Sequence, residues 1–361
     1  MKAAQFFAKE DIRVTDVPKP EPKDNEVLID IEWCGICGSD LHEYIMGPMA
    51  IPSAKPHPLT NEVLPITMGH EFCGRVVSAP PNSTLKPGQA VMVDPRLYCS
   101  SCTRCSSQAT NTCYSWGFHG LSGNGGGFSE SITVDASMCY ALPDSSLDLA
   151  ALIEPLAVAW HAVRGSGKDD FSSESVLILG GGPVGIAVLL VLRAKGAKQV
   201  FVSEPTVKRA KQNAKLADAV FDPIKEKVAE KCLEKTGGEG VGYVFDCAGI
   251  QAGMNEGMAA LRHQGVYVNV AGWEKPIVVP QLDLMFKEIM VRGSLAYDDR
   301  DFRETVEAFV DGKFKGVETM VTSRIHLDDV PEKGFAELIK NKDDHIKILV
   351  TPNRNNLSKK E

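Results

Sequence analysis

Residues 33–42 read W-C-G-I-C-G-S-D-L-H. Cys37 offers a thiolate, Ser39 a hydroxyl two residues on and His42 an imidazole five residues on, where the strand-like run 27–31 breaks at Gly35 and Gly38. A metal ligand and a path for a proton therefore share one turn. Further ligand types follow in G-H-E, with His70 and Glu71, and in I-E-P-L, with Glu154. One soft sulfur, one imidazole and one or two carboxylates suit an open, catalytic zinc site. Glu154 lies among Leu152, Ile153 and Leu156. Burying a carboxylate there is costly without a partner, and a divalent cation would be one; an exposed glutamate at a helix end is the plainer alternative.

A second cluster, Cys99, Cys102, Cys105 and Cys113, has the spacing C-x2-C-x2-C-x7-C. Four thiolates close a tetrahedral shell with no position left for water, which describes a structural zinc. Of the ten cysteines, Cys34, Cys73, Cys139, Cys232 and Cys247 remain, each among apolar or small residues, and read as small buried hydrophobes.

A third pattern is G-x-G-x-x-G at Gly180, Gly182 and Gly185, with Pro183 and Val184 inside it, between an apolar run and a helical one. There the first glycine permits the tight turn, the second lets the backbone approach a pyrophosphate, and the third lets helix and strand pack closely. The helix N-terminus offers free N–H groups to the diphosphate. Glu204 follows Gly180 by 24 residues, at the end of the next strand. A carboxylate there accepts from ribose hydroxyls and repels a 2′-phosphate, which predicts NAD rather than NADP, with Lys208 and Arg209 nearby to soften the preference.

Positioning these groups requires two kinds of architecture. Up to about Asp94, short alternating runs separated by Pro and Gly clusters predict a β-rich, barrel-like lobe. Residues 47–65 carry five prolines and read as a surface loop beside the Cys37 segment. A strand is expected over 128–134 and a helix over 147–164, with Pro155 interrupting its hydrogen bonds. From Ser175 strands and helices alternate: helices are expected over 183–195, 227–235 and 254–262, strands over 243–246, 265–270 and 289–293. This pattern predicts a doubly wound parallel sheet. Helices over 302–311 and 331–340 and a strand over 345–350 carry no glycine fingerprint and are expected to return to the first domain. The tail 353–361 reads as frayed. The domain expectation is 1–160, 161–295 and 296–361.

Length and charge narrow the possibilities. A chain of 361 residues is long for a single core. With 39 basic and 47 acidic residues, formal net charge −8, and no basic run before the tail pair Lys359 and Lys360, nucleic acid is not an expected partner. Nothing reads as a membrane span, and the N-terminus M-K-A-A-Q-F-F-A-K-E lacks a signal-length apolar core, so a cytoplasmic location is expected.

Taken together, C-G-I-C-G-S-D-L-H-E-Y, the stretch from H-P-L-T-N-E to G-H-E-F-C-G, and G-F-H-G-L-S-G-N-G-G-G-F-S-E resemble the zinc-dependent class of the medium-chain dehydrogenase/reductase superfamily. Within it the resemblance is strongest to the (R,R)-2,3-butanediol dehydrogenases, then to the sorbitol-type polyol dehydrogenases. It implies a GroES-like catalytic domain and a Rossmann domain, a homodimer or homotetramer, and a small-molecule alcohol or ketone substrate, with enzymes for bulkier substrates in the same superfamily. By position it implies Cys37, His70 and Glu154 as catalytic-zinc ligands, Glu71 as a ligand or an exchanging partner, and Ser39 with His42 as the proton relay. It also implies Arg209 at the adenosine ribose, and Cys247, Ala248 and Val270 in the turns flanking the nicotinamide. The zinc lobe departs from the family in having Ser100 and Gln108 where glycine is usual.

Overall fold

The computed structural model describes residues 1–144, 147–273 and 275–358. The chain divides into two units: Met1–Glu154 with Asp298–Asp311 and the segment from Val321 onward, and Pro155–Tyr297 with Gly312–Met320.

The first unit is built on a seven-stranded, mostly antiparallel sheet. Its strands run in the order Cys139–Ala141, Ala90–Val93, Glu71–Ser78, Glu26–Gly35, Lys347–Thr351 and Val321–His326, with Ser131–Asp135 also pairing Glu26–Gly35. Glu26–Gly35 is therefore the hub. Val27, Ile29 and Ile31 point into the core with Val91, Val93, Ile132 and Val134, and this apolar set fixes the register. That register places Gly35 opposite Glu71 on one side and opposite Leu349 on the other. A second sheet joins Asp11–Asp16, Lys2–Ala8 and Ile66–Thr67.

The second unit contains six parallel strands in the order Ala219–Phe221, Gln199–Ser203, Ser175–Leu179, Val241–Asp246, Leu261–Asn269 and Met290–Gly293. Its central strands are apolar runs such as V-L-I-L because helices cover the sheet. Leu177, Phe201, Val244, Met258 and Tyr267 lie in one buried cluster.

Several boundaries differ from the sequence reading. The expected helix over 147–164 is two helices, Leu147–Ala150 and Ile153–Gly165. Pro155 sits in the first turn of the second, where its missing N–H would have no helical partner, so the break falls before Glu154 rather than after it. The strand Leu261–Asn269 begins where the helix was expected to finish, the helix being Gln251–Ala260. The helix expected over 331–340 starts as a wide π-type turn over Val330–Ala336 and tightens only at Glu337–Lys340. The strand expected from 128 begins at Ser131. Within the tail expected to fray, Arg354–Leu357 forms a helical turn capped by the Asn353 side chain, and Asn356 Nδ2 donates to Glu32 Oε2 at 3.1 Å. Lys359 and Lys360 lie outside the described residues.

Candidate functional site

Cys37 caps the helix Gly38–Met46, which continues directly from the hub strand. Its sulfur, one nitrogen of His70 and one oxygen of Glu71 all lie within 4.8 Å of one another. His70 and Glu71 are buried. Asp40 orients both other ligand types: Oδ2 accepts from the Cys37 amide at 2.9 Å, while Oδ1 lies 3.4 Å from His70 Nδ1. These last two atoms are buried and face each other as an ion-pair contact, without a hydrogen-bond partner among the described residues. Ser39 Oγ lies 3.1 Å from His70 Nε2. The ring thus has a carboxylate beside Nδ1 and the Ser39 hydroxyl at Nε2, and a carboxylate behind the ring is the arrangement that metal-binding imidazoles show. Burial works against a charge on His70, but Asp40 and Cys37 outweigh it and hold the pKa of the imidazole well above its ordinary value.

Glu71 is not idle. Lys347 Nζ donates to its two oxygens at 2.6 and 2.7 Å and to the Ile36 carbonyl at 3.1 Å. A Cβ on Gly35 would lie 2.0 Å from Glu71 Oε2, so only glycine lets this carboxylate cross the hub strand. Glu154 is buried and raises the pKa of Lys347, but lies outside the 4.8 Å set. His42 is exposed one turn beyond Ser39 on the same helix. Phe118 packs edge-on to His70 at 5.7 Å and to Trp116 at 5.4 Å, giving the site an aromatic wall.

The four clustered cysteines converge. Their sulfurs are separated by 3.5 Å for Cys99–Cys113, 3.6 Å for Cys102–Cys105, and 4.0 Å for Cys99–Cys105 and Cys102–Cys113. Tetrahedral zinc with bonds of about 2.3 Å requires roughly 3.8 Å between sulfurs. The donor set therefore fits. Hydrogen bonds from the Ser101 backbone and hydroxyl draw the Cys99 thiol down to about 6. Ser100 and Gln108 adopt φ of 56° and 64°, the left-handed backbone that glycine takes without strain. Of the other five cysteines, Cys34, Cys73 and Cys232 are buried, and Cys139 and Cys247 are partly so.

In the second unit Gly180 has φ +90°, and a Cβ on Gly185 would lie 1.9 Å from the Gly180 carbonyl oxygen. At Gly182 the nearest atom to an added Cβ is Arg209 Nη1 at 3.7 Å, which leaves the backbone open beside a guanidinium. Pro183 and Val184 begin the helix Pro183–Ala194 with Gly182 as its cap. Glu204 is buried at the end of its strand, accepting from the Gly181 amide at 2.7 Å and the Thr206 amide at 2.8 Å. Asn213, fully buried, ties the loop from the other side by donating to the Gly181 carbonyl at 2.9 Å. An open cradle at a helix N-terminus with a guanidinium beside it fits a diphosphate.

Residues 23–144 match the alcohol dehydrogenase GroES-like domain and residues 183–311 the zinc-binding dehydrogenase domain. The (R,R)-butanediol dehydrogenase of Saccharomyces cerevisiae is 38% identical over 380 residues, covering 98% of this chain and 98% of that one. The chain belongs to the zinc-binding alcohol dehydrogenase family. This dehydrogenase is an oxidoreductase of CH–OH groups with a GroES-like domain and a Rossmann-type parallel sheet. The (R,R)-butanediol dehydrogenase of Bacillus subtilis is 39% identical over 356 residues, 98% of this chain and all of that one. The crystal structure of the 2R,3R-butanediol dehydrogenase from Bacillus subtilis superposes with a TM-score of 0.90 at 38% identity, covering 98% of the dehydrogenase and 99% of that chain. Among the described residues, no helix of the dehydrogenase is long and apolar enough to cross a membrane.

Sequence reading missed Asp40, Lys347 and Asn213. Asp40 stood within the ligand motif and carried a usable signal, a carboxylate three residues after a cysteine at a helix start. Lys347 and Asn213 had none, because their partners are distant in the chain.

Proposed function

We propose that the dehydrogenase transfers a hydride between a secondary alcohol and NAD, with a vicinal diol or acyloin of the 2,3-butanediol type as substrate. The observation that carries this reading is the convergence of Cys37, His70 and Glu71 at the start of the helix that also bears Ser39. Cys37 and His70 would hold a catalytic zinc, with Glu71 and Glu154 as the available carboxylates, and Cys99, Cys102, Cys105 and Cys113 a structural one. When bound, zinc supplies the Lewis acidity that lowers the alcohol pKa, and NAD accepts the hydride. Ser39 would accept the alcohol proton at Oγ while releasing its own hydroxyl proton, which His42, exposed one turn on, would hand to water. Gly180, Gly182, Pro183, Val184 and Gly185 cradle the diphosphate and Glu204 takes the ribose hydroxyls beside Arg209. Cys247, Ala248 and Val270 would flank the nicotinamide.

A polyol substrate is the second reading. The D-xylulose reductase A of Aspergillus oryzae is 30% identical over 91% of this chain and 90% of that one.

The enzyme works in the cytoplasm as a homodimer or homotetramer. Supporting assembly, all four residues of the edge strand Met290–Gly293 are exposed, and Leu282, Met285 and Phe286 beside it in the sequence are exposed as well. An unpaired edge with apolar neighbours is a ready surface for a second copy.

The deciding experiment is NAD-linked oxidation of (R,R)- and meso-2,3-butanediol, sorbitol and bulkier secondary alcohols, with and without a zinc chelator. Chelator-sensitive turnover of butanediol over sorbitol is expected. Preference for sorbitol would select the polyol reading, and turnover that survives removal of zinc would overturn both.

A further inference from the structure

Strand order in the second unit reverses between Ser175–Leu179 and Val241–Asp246: the chain first builds outward through Gln199–Ser203 to Ala219–Phe221, then returns and builds the other way. In open parallel sheets a ligand lies outside the carboxyl ends of the strands at such a switch. Here the two ends are Leu179, which leads into the glycine loop, and Asp246, which leads into the turn at residues 247–249. Glu204 terminates a strand on the first-built side. A dinucleotide with its diphosphate on the glycine loop and its adenosine ribose at Glu204 must therefore lay its other half over the ends of Val241–Asp246 and Leu261–Asn269.

Asp246 holds both of those ends. Its Oδ1 accepts from the amides of Ala248 at 3.0 Å and Gly249 at 2.9 Å, and its Oδ2 accepts from the Tyr267 hydroxyl at 2.9 Å. Its main-chain oxygen accepts from the amides of Val270 at 2.9 Å and Ala271 at 3.0 Å. Asp246 and Tyr267 are both fully buried. The two turns are also packed directly on each other and on the glycine loop. A Cβ on Gly249, whose φ is +66°, would lie 2.9 Å from the Gly272 carbonyl oxygen, and a Cβ on Gly180 would lie 3.2 Å from the Ala248 Cβ. A shift of one turn is therefore passed to the other, while Glu204 and Asn213 hold the glycine loop separately at Gly181.

We infer that Asp246, locked by Tyr267, is a positioning residue for the nicotinamide half of the cofactor: one buried carboxylate sets the two turns that half must rest on. The inference rests on the NAD reading above. Glu204 and Asn213, not Asp246, hold the adenosine side, so the two halves of the cofactor respond separately to substitution.

The test compares NADH with ADP-ribose, which lacks the nicotinamide, on the zinc-loaded full chain. Asp246→Ser removes one side of the anchor, Tyr267→Phe keeps the packing and removes one bond, and Asp246→Asn retains an acceptor for the two amides. Asp246→Ser is expected to weaken NADH binding about tenfold, as loss of a hydrogen bond to a charged group would, with ADP-ribose affinity unchanged. Tyr267→Phe should move the same way by less, and Asp246→Asn should recover most of the loss. Equal weakening of both ligands would reduce Asp246 to a folding role and overturn the inference, as would unaltered NADH binding in Asp246→Ser and Tyr267→Phe. Failure of the unsubstituted chain to bind either ligand would instead overturn the NAD reading itself.

Discussion

Lys347 Nζ contacts both carboxylate oxygens of Glu71, at 2.6 and 2.7 Å, and both side chains are buried. Burial lowers the Lys347 pKa, but Glu71 and Cys37 oppose it strongly enough to leave the ammonium above its ordinary value. This pair balances the charge of a site that carries more carboxylate than one metal ion needs. Lys347→Met would leave Glu71 buried without its cation, and breaking such a pair costs about 3–5 kcal/mol. Denaturant unfolding of the zinc-free protein should show that loss. In the zinc-loaded protein the loss should be smaller, because the metal can take up the freed carboxylate; an equal loss in both forms would refute this account.

Asp40 should matter to the metal without touching it. Asp40→Asn weakens the hold on His70 Nδ1, and substitutions of this kind cost about 10–100-fold in metal affinity. Competition with a chromogenic chelator measures the change for one zinc per chain, while the zinc of the four-cysteine lobe stays in place.

His119 gives the stability a pH dependence. Burial lowers its pKa from 6.5 to about 4 in the folded chain, where its Nδ1 lies 2.9 Å from the Asn124 carbonyl oxygen. As pH falls below 6.5 the unfolded chain takes up a proton that the folded chain refuses until about 4. Stability is therefore full above 6.5 and is lost across that window, by about 3 kcal/mol in all. His119→Gln should flatten the curve of unfolding free energy against pH between those limits; an unchanged slope would count against the assignment.

Glu204 has two tasks, since its carboxylate already binds the amides of Gly181 and Thr206. Glu204→Ser should lower kcat/KM with NAD and raise the NADP to NAD ratio. It should also reduce stability by about 1.5–3 kcal/mol through the lost charge-assisted bonds. A constant cofactor ratio would remove Glu204 from the cofactor site.

Ser100 and Gln108 carry the strain of left-handed backbone beside the zinc-lobe cysteines. Replacing either by glycine should stabilise the zinc-loaded protein by about 1 kcal/mol, read as a shift in the denaturation midpoint. Destabilisation would show that their side chains contribute more than their backbone costs.

Sequence alone determined what depends on local spacing. The glycine loop, the four-cysteine lobe, the clustering of Cys37, Ser39 and His42 in one turn and the alternation of strand and helix after Ser175 are properties of short windows, because turns and amphipathic periods are set within a few residues. The break before Glu154 escapes a local reading for the same reason: Pro155 signals an interruption after Glu154, although the first turn of a helix tolerates proline. Tertiary structure alone decided the pairings across long stretches of chain. Lys347 meets Glu71 across 276 residues, Asn213 reaches the glycine loop across 32, and Tyr267 meets Asp246 across 21. Nothing in the residues around Lys347 marks it as the partner of a buried carboxylate. That contact exists because the register of the hub strand sets Gly35 between Glu71 and the last strand, and register is chosen by the burial of whole apolar faces rather than by any one side chain.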